Sequence, residues 1–234
     1  VIGRRLDRLS ERCNEVLTVA AVIGRQFEFP ALTRLFSGGE LPPNARLSDD
    51  RLLTVLEEAL DARVIEELPD RVGMYQFTHA LIEQTLFEEL STTRRVRLHA
   101  RIASALEEIY GDRAEEHAAE LAGHLAEAET LVGPERLIHY SVIAGEKAFA
   151  TSGFEEAIRH FENARAAAEG GPEDAQFAVI LSGLGRAWCA TPTAAHGVQE
   201  GWDLIGRAFD LYLELGDTGS AVAVAQSSAA FATI

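Results

Sequence analysis

The sequence predicts a mainly α protein in two parts, a helical module with a small β-hairpin and then a helical solenoid. Three observations carry this. Apolar residues recur at spacings of three and four along most of the chain, the mark of amphipathic helices. The period changes once, where the short β-prone runs Val64 to Leu68 and Met74 to Phe77 flank Pro69-Asp70-Arg71-Val72-Gly73. Proline, aspartate and glycine there supply turn geometry, so this stretch reads as a β-hairpin. Beyond Asp112 the pattern is helical throughout, with small and aromatic residues where helices must approach closely.

Each element follows from local signals. Leu6, Leu9, Cys13, Val16, Leu17, Ala20 and Ile23 share one helix face, and Gly24 ends that helix. A short helix around Ala31 to Phe36 precedes a loop from Ser37 to Leu47 rich in Gly, Pro and Asn. Ser48 or Asp49 caps the next helix, whose Leu52, Val55, Leu56, Ala59 and Leu60 lie on one side. Three helices followed by a hairpin describe a winged-helix module, placed at residues 1–90. Thr78 is expected to cap a helix running to Leu90. Ser91 or Thr92 starts another through Tyr110, with Val96, Ile102, Ala103, Leu106 and Ile109 as its apolar stripe and Gly111 as its end.

Linker helices are assigned to 91–133 and tetratricopeptide-like repeats to 134–234. The repeat signal is clearest at Gly145, Ala157, Phe161 and Ala164, which fit the offsets of a tetratricopeptide unit. Gly185, Gly201, Ile205 and Ala208 fit a second copy if four residues are inserted around Thr191 to Val198. A third copy begins at Thr218 and is truncated at Ile234. The fold class is therefore mainly α, a winged-helix module followed by an α-solenoid, which presents a groove for peptides or protein surfaces.

Composition excludes several functions. Hydrophobic residues make up 47% and charged residues 25% of 234 positions, and no run approaches the roughly 18 apolar residues of a membrane span. The net charge of −16 opposes contact with DNA phosphates, whose affinity comes from Lys and Arg releasing counterions. The candidate recognition helix, Arg51 to Arg63, carries Glu57, Glu58 and Asp61, so no direct nucleic-acid contact is expected. The cluster Arg94-Arg95-Val96-Arg97 with Arg101 is a local exception, followed by carboxylates in the same helix. Cys13 and Cys189 sit far apart in apolar helical patterns, which argues against a disulfide framework and for the cytoplasm. Lys147 is the only lysine among 21 basic residues, a bias typical of GC-rich bacterial genomes. The chain starts at Val1 and stops within an alanine-rich pattern, so it is read as part of a longer protein.

Phe77-Thr78-His79-Ala80-Leu81-Ile82-Glu83-Gln84-Thr85-Leu86 leaves a strand and opens a helix. Free N–H groups and the positive end of the helix dipole gather there, so His79 stands where an anion such as phosphate is favoured. No GxxxxGK[ST] phosphate loop occurs, and no nucleophile–base or paired-carboxylate arrangement is signalled. The segment is therefore not expected to be an enzyme and carries no cofactor of its own. The runs Glu57-Glu58, Glu107-Glu108 and Glu155-Glu156 read as solvated faces. His117, Glu120 and His124 fall near one helix face, but incidental histidines on helical ladders are far commoner than metal sites, so no metal is assigned. His139 and His160 are expected at the surface or groove of the repeats.

Gly3-Arg4-Arg5-Leu6-Asp7-Arg8-Leu9, Ala20-Ala21-Val22-Ile23-Gly24-Arg25-Gln26-Phe27, Phe77-Thr78-His79-Ala80-Leu81-Ile82 and Thr93-Arg94-Arg95-Val96-Arg97-Leu98-His99 together resemble one family region. It is the stretch after the core of bacterial signal-transduction ATPases of the STAND class, where an AAA-type predicted ATPase precedes a winged helix and tetratricopeptide repeats. The likeness covers residues 1 to about 170 well and the rest loosely. It implies that His79 reaches the β-phosphate of ADP held by an upstream ATPase domain. ATP or ADP then belongs to the parent protein, and a protein or small-molecule inducer to the repeat groove. In such proteins the core is often fused to an adenylate or guanylate cyclase domain, a protein kinase or a LuxR-type DNA-binding domain. Ala80 replaces the acidic residue that often follows the histidine in plant and animal relatives, so that residue's hinge role does not transfer. The alternative is a stand-alone tetratricopeptide adaptor without nucleotide linkage.

Overall fold

In a computed structural model, which describes residue 6 and residues 8–38, 45–191 and 197–229, the first long helix is α1 (Glu11–Ile23). The apolar periodicity runs unbroken from Leu6, yet the helix starts only after Ser10, whose side chain accepts a hydrogen bond from the Cys13 N–H. The Glu58 carboxylate in turn accepts from the Ser10 N–H at 2.5 Å and its hydroxyl at 2.7 Å. Glu58 thus fastens the start of α1 and does not simply face solvent, a correction to the reading of Glu57-Glu58. Gly24 ends α1 at φ +140°, a backbone shape that side-chain-bearing residues rarely adopt.

Then come β1 (Gln26–Glu28), α2 (Phe29–Ser37), α3 (Asp49–Asp61), β2 (Ile65–Glu67), β3 (Met74–Phe77), α4 (Ala80–Glu88) and α5 (Thr92–Tyr110). The strands form one antiparallel sheet in the order β1-β3-β2, with Phe27 opposite Tyr75 and Ile65 opposite Phe77. The hairpin is where the sequence placed it. Its third strand was not foreseen, because Gln26-Phe27-Glu28 is too short to display a period. Phe27 makes it a strand: its ring is 5.5 Å from Phe77 and 5.9 Å from Tyr75, so burial of this one side chain pins β1 to β3.

Helix α5 packs on α1 and α2. Its buried face is Leu98, His99, Ile102, Ala103, Ala105 and Leu106. Val96 and Ile109, expected in the stripe, are only partly covered. Arg101 donates to the Leu35 carbonyl at 2.7 Å, and Arg34 pairs with Glu108. Of the basic residues of α5, Arg101 is therefore engaged in holding α2.

Contacts divide the chain into two units, residues 1–111 and 112–234. The second continues from a 3-10 segment (Gly111–His117) through α6 (Ala118–Glu127), short α7 (Glu129–Val132), α8 (Pro134–Ala150), α9 (Phe154–Ala167), α10 (Ala175–Ala190), α11 (Val198–Glu214) and α12 (Thr218–Ala229). Successive long helices pack on one another: α6 on α8, α8 on α9, α9 on α10, α10 on α11 and α11 on α12.

The spacing of Gly145, Ala157, Phe161 and Ala164 has a physical cause. Phe161 is fully buried, and a Cβ on Gly145 would lie 2.9 Å from its ring. A Cβ on Gly183 of α10 would lie 2.4 Å from the same ring. The phenyl group fills space that two glycines leave open on the helices beside α9. Farther on, a Cβ on Gly185 would meet the Gly201 carbonyl oxygen at 2.6 Å and Ile205 Cγ1 at 2.8 Å, so α10 and α11 touch through their backbones. Most of the insertion expected around Thr191 to Val198 lies outside the described residues. So do Gly3 to Arg5 and Asp7 of the first resemblance stretch, residues 39–44 of the long loop, and residues 230–234 of the third copy. Among the described residues, no helix is long and apolar enough to cross a membrane.

A candidate anion site at His79

The end of β3 is clamped on both sides. The Phe77 N–H donates to the Arg25 carbonyl at 3.0 Å and the Thr78 N–H to the Val64 carbonyl at 3.1 Å. The Thr78 hydroxyl also points back, within 3.0 Å of the Arg63 carbonyl and 3.1 Å of the Val64 carbonyl. It does not cap α4 as the sequence suggested, because these two acceptors at the start of the hairpin engage it instead. The N-cap residue is His79, extended at φ −138° and ψ 130°. Its carbonyl accepts from the Ile82 N–H at 2.9 Å, while its imidazole makes no cap bond and is exposed.

Among the described residues, helix α4 therefore begins without a side-chain cap from its N-cap residue, which leaves its first N–H groups open. Glu83, one turn on, has its carboxyl pushed up by burial, an effect partly offset by the positive charge of Arg25. Arg25 and Glu83 thus share the surroundings of this helix start, a pairing across 58 residues that no local pattern announces. A phosphate there would meet the helix dipole and the exposed imidazole, with Glu83 one turn on as the opposing charge.

The other candidates resolve differently. His117 and Glu120 lie 3.8 Å apart, His124 is buried, and among the described residues no group of three or more His, Cys, Asp or Glu side chains is placed to hold a metal. Burial, and then the charge of Glu58, pushes the Cys13 thiol up to about 12, so it carries almost no thiolate at neutral pH. On α3, Asp49, Asp50, Glu57 and Asp61 are exposed, an arrangement that repels nucleic-acid phosphates. His139 is at the surface, as expected, with Nε2 3.6 Å from Glu115.

His160 is not a surface or groove residue. It is fully buried on α9, with Nε2 3.1 Å from Arg159 Nη2 and 3.7 Å from Glu156 Oε1. Burial, and then the Arg159 charge, lowers its pKa, while Glu156 acts in the opposite direction. The folded state therefore favours the neutral ring. Below the unfolded histidine's value of about 6.5 the unfolded chain takes up a proton that the folded chain resists. The stabilisation is present above that value and is lost as the pH falls through the lowered folded pKa. Melting curves of the wild type are expected to shift to lower temperature from pH 7 to pH 5. His160→Gln, which cannot titrate, should show a smaller shift; identical pH profiles would remove the assignment.

Sequence reasoning also passed over two features of the second unit. On α8 and α10, Arg186 pairs with Glu146 while its guanidinium lies 5.0 Å from the centre of the Phe149 ring. A cavity of about 420 Å³ opens between α9 and α10, lined in part by Glu162, Arg165, Glu169, Glu173 and Phe177. Glu173 there is already held by Arg207 of α11. No family model, curated protein or solved structure matches the chain.

Proposed function

We infer that the chain is the regulatory and sensory part of a bacterial signal-transduction ATPase of the STAND class. A winged-helix module over residues 1–90 would contact the nucleotide of an upstream ATPase domain. Tetratricopeptide-like repeats over 134–234 would receive a protein or small-molecule inducer. The observation that carries this reading is His79: an exposed imidazole at the uncapped start of a helix, with no hydrogen bond or ion pair among the described residues. Its strand and helix are fixed by backbone hydrogen bonds on both sides, and an exposed ring on so fixed a backbone supports a role in meeting a ligand from outside the unit. The three-stranded sheet with its packed helices supports the winged-helix assignment. The glycine and phenylalanine contacts of α8 to α11 support the repeats.

The nucleotide chemistry would belong to the upstream domain, since this chain has no phosphate loop. His79 would add one charge-assisted hydrogen bond to the ADP β-phosphate, worth about 1.5–3 kcal/mol. That biases a two-state switch by roughly 10- to 150-fold, enough to favour the closed state without locking it. In the intact parent, His79→Ala is expected to speed ADP release by a factor in that range and to raise basal output, whether transcription or cyclase activity. Unchanged ADP release together with unchanged basal output would sink the reading.

The second reading, a stand-alone adaptor without nucleotide linkage, draws on a different observation. The close helix contacts at Phe161 and at Gly185 with Gly201 lie wholly among the helices of the second unit and support a packed helical scaffold of its own. A phosphate loop encoded upstream of Val1 would decide for the switch.

A further inference from the structure

The geometry points to a releasable strap at the start of the second unit: Lys147 and His139 of α8 hold the 3-10 segment Gly111–His117 at Glu115. Ala114 is the segment's only buried residue, so apolar burial contributes little to its placement. Two polar contacts converge on Glu115. Lys147 Nζ donates to the Glu115 carbonyl oxygen at 2.6 Å, and His139 Nε2 lies 3.6 Å from Glu115 Oε1. These two side chains stand two turns apart on α8 and meet Glu115 at separate points, Lys147 at its backbone and His139 at its carboxylate, where the imidazole forms an ion pair only when protonated.

The location gives the strap its consequence. Gly111, at φ +50°, ends α5, and the next residue opens the second unit. Any signal carried along the chain between the units passes through Gly111–His117, so the strap sets how firmly that passage is held; this last step rests on the regulatory reading above. The contacts are open to challenge from solution. The His139 and Glu115 side chains are 50% and 65% exposed, and Lys147 is exposed too. Exposed ion pairs and single hydrogen bonds each change a local opening equilibrium by only a few-fold, so the strap can be opened without unfolding α8. A partner carboxylate that takes the Lys147 ammonium would do so. The only lysine of the chain is the element being competed for.

Hydrogen exchange on the whole chain tests this without any nucleotide. In Glu115→Gln/Lys147→Met, amides of residues 112–118 are expected to exchange about tenfold faster, while amides of α8 to α10 keep their protection. Lys147→Arg, which keeps a cationic donor, should stay close to wild type. Unchanged exchange at 112–118 in the double variant would overturn the strap, as would equal acceleration across α8 to α10. Either failure leaves the His79 reading untouched.

Discussion

Phe161→Ala is expected to lower the stability of the second unit by about 3–5 kcal/mol, the range for removing a fully buried aromatic side chain. The upper half of that range applies here. Cavities cost less when neighbouring side chains relax into them, but the ring is flanked by Gly145 and Gly183, which have no side chains to move. Closing the gap would require α8 and α10 to shift as whole helices. Ala157, Ala164, Leu184, Ala187 and Trp188 surround this part of the core, and alanines supply little volume to repack. Urea unfolding followed by far-ultraviolet circular dichroism reads the loss. The transition of residues 1–111 should stay where it is, because the ring lies wholly within the second unit. A loss under about 1 kcal/mol would mean that the helices do not depend on this wedge.

Periodicity made the helices legible, because amphipathic faces repeat over many residues and average out local exceptions. The hairpin was legible from Pro69 to Gly73, where turn chemistry is concentrated. Features set by a single long-range contact were not. Strand β1 exists because Phe27 finds Phe77 and Tyr75 about fifty residues away. Ser10 begins α1 partly because Glu58 reaches it across 48 residues. The site at His79 was legible as a residue and a helix start, but its surroundings were not: Thr78 turns to Arg63 and Val64, and Arg25 and Glu83 meet only in the fold. His160 is the instructive miss. Ala157, His160, Phe161 and Ala164 stand at i, i+3, i+4 and i+7, so the helical register itself marks His160 as inward-facing. Its polarity points to the surface and its position to the core, and position decides.

One substitution type should give opposite signs at two glycines. In a helix interior, Gly→Ala gains about 1 kcal/mol by restricting the unfolded chain and raising helix propensity. Gly206 of α11 is exposed, and a Cβ there meets nothing within 4 Å, so Gly206→Ala is expected to stabilise by about that amount. Gly185 of α10 has the same propensity gain available and cannot use it. Its Cβ would sit 2.6 Å from the Gly201 carbonyl oxygen and 3.1 Å from the Ile205 backbone nitrogen. A flexible side chain can swing aside, but backbone atoms in a helix move only with the helix. The contact is reciprocal, since a Cβ on Gly201 would lie 2.8 Å from the Gly185 oxygen and 2.7 Å from Cys189 Sγ. Admitting one methyl group therefore forces α10 and α11 apart along a line where each already touches the other's main chain. Overpacking of this kind costs about 1–3 kcal/mol, and the upper end applies where backbone must yield. After the propensity gain, Gly185→Ala should lose about 2 kcal/mol and lower the melting temperature by several degrees. Two variants identical in chemistry and helical context then differ by about 3 kcal/mol. If Gly185→Ala melted at or above the wild type, α10 and α11 would not meet through these glycines, and the physical basis for reading Gly185 and Gly201 as a repeat pair would be gone.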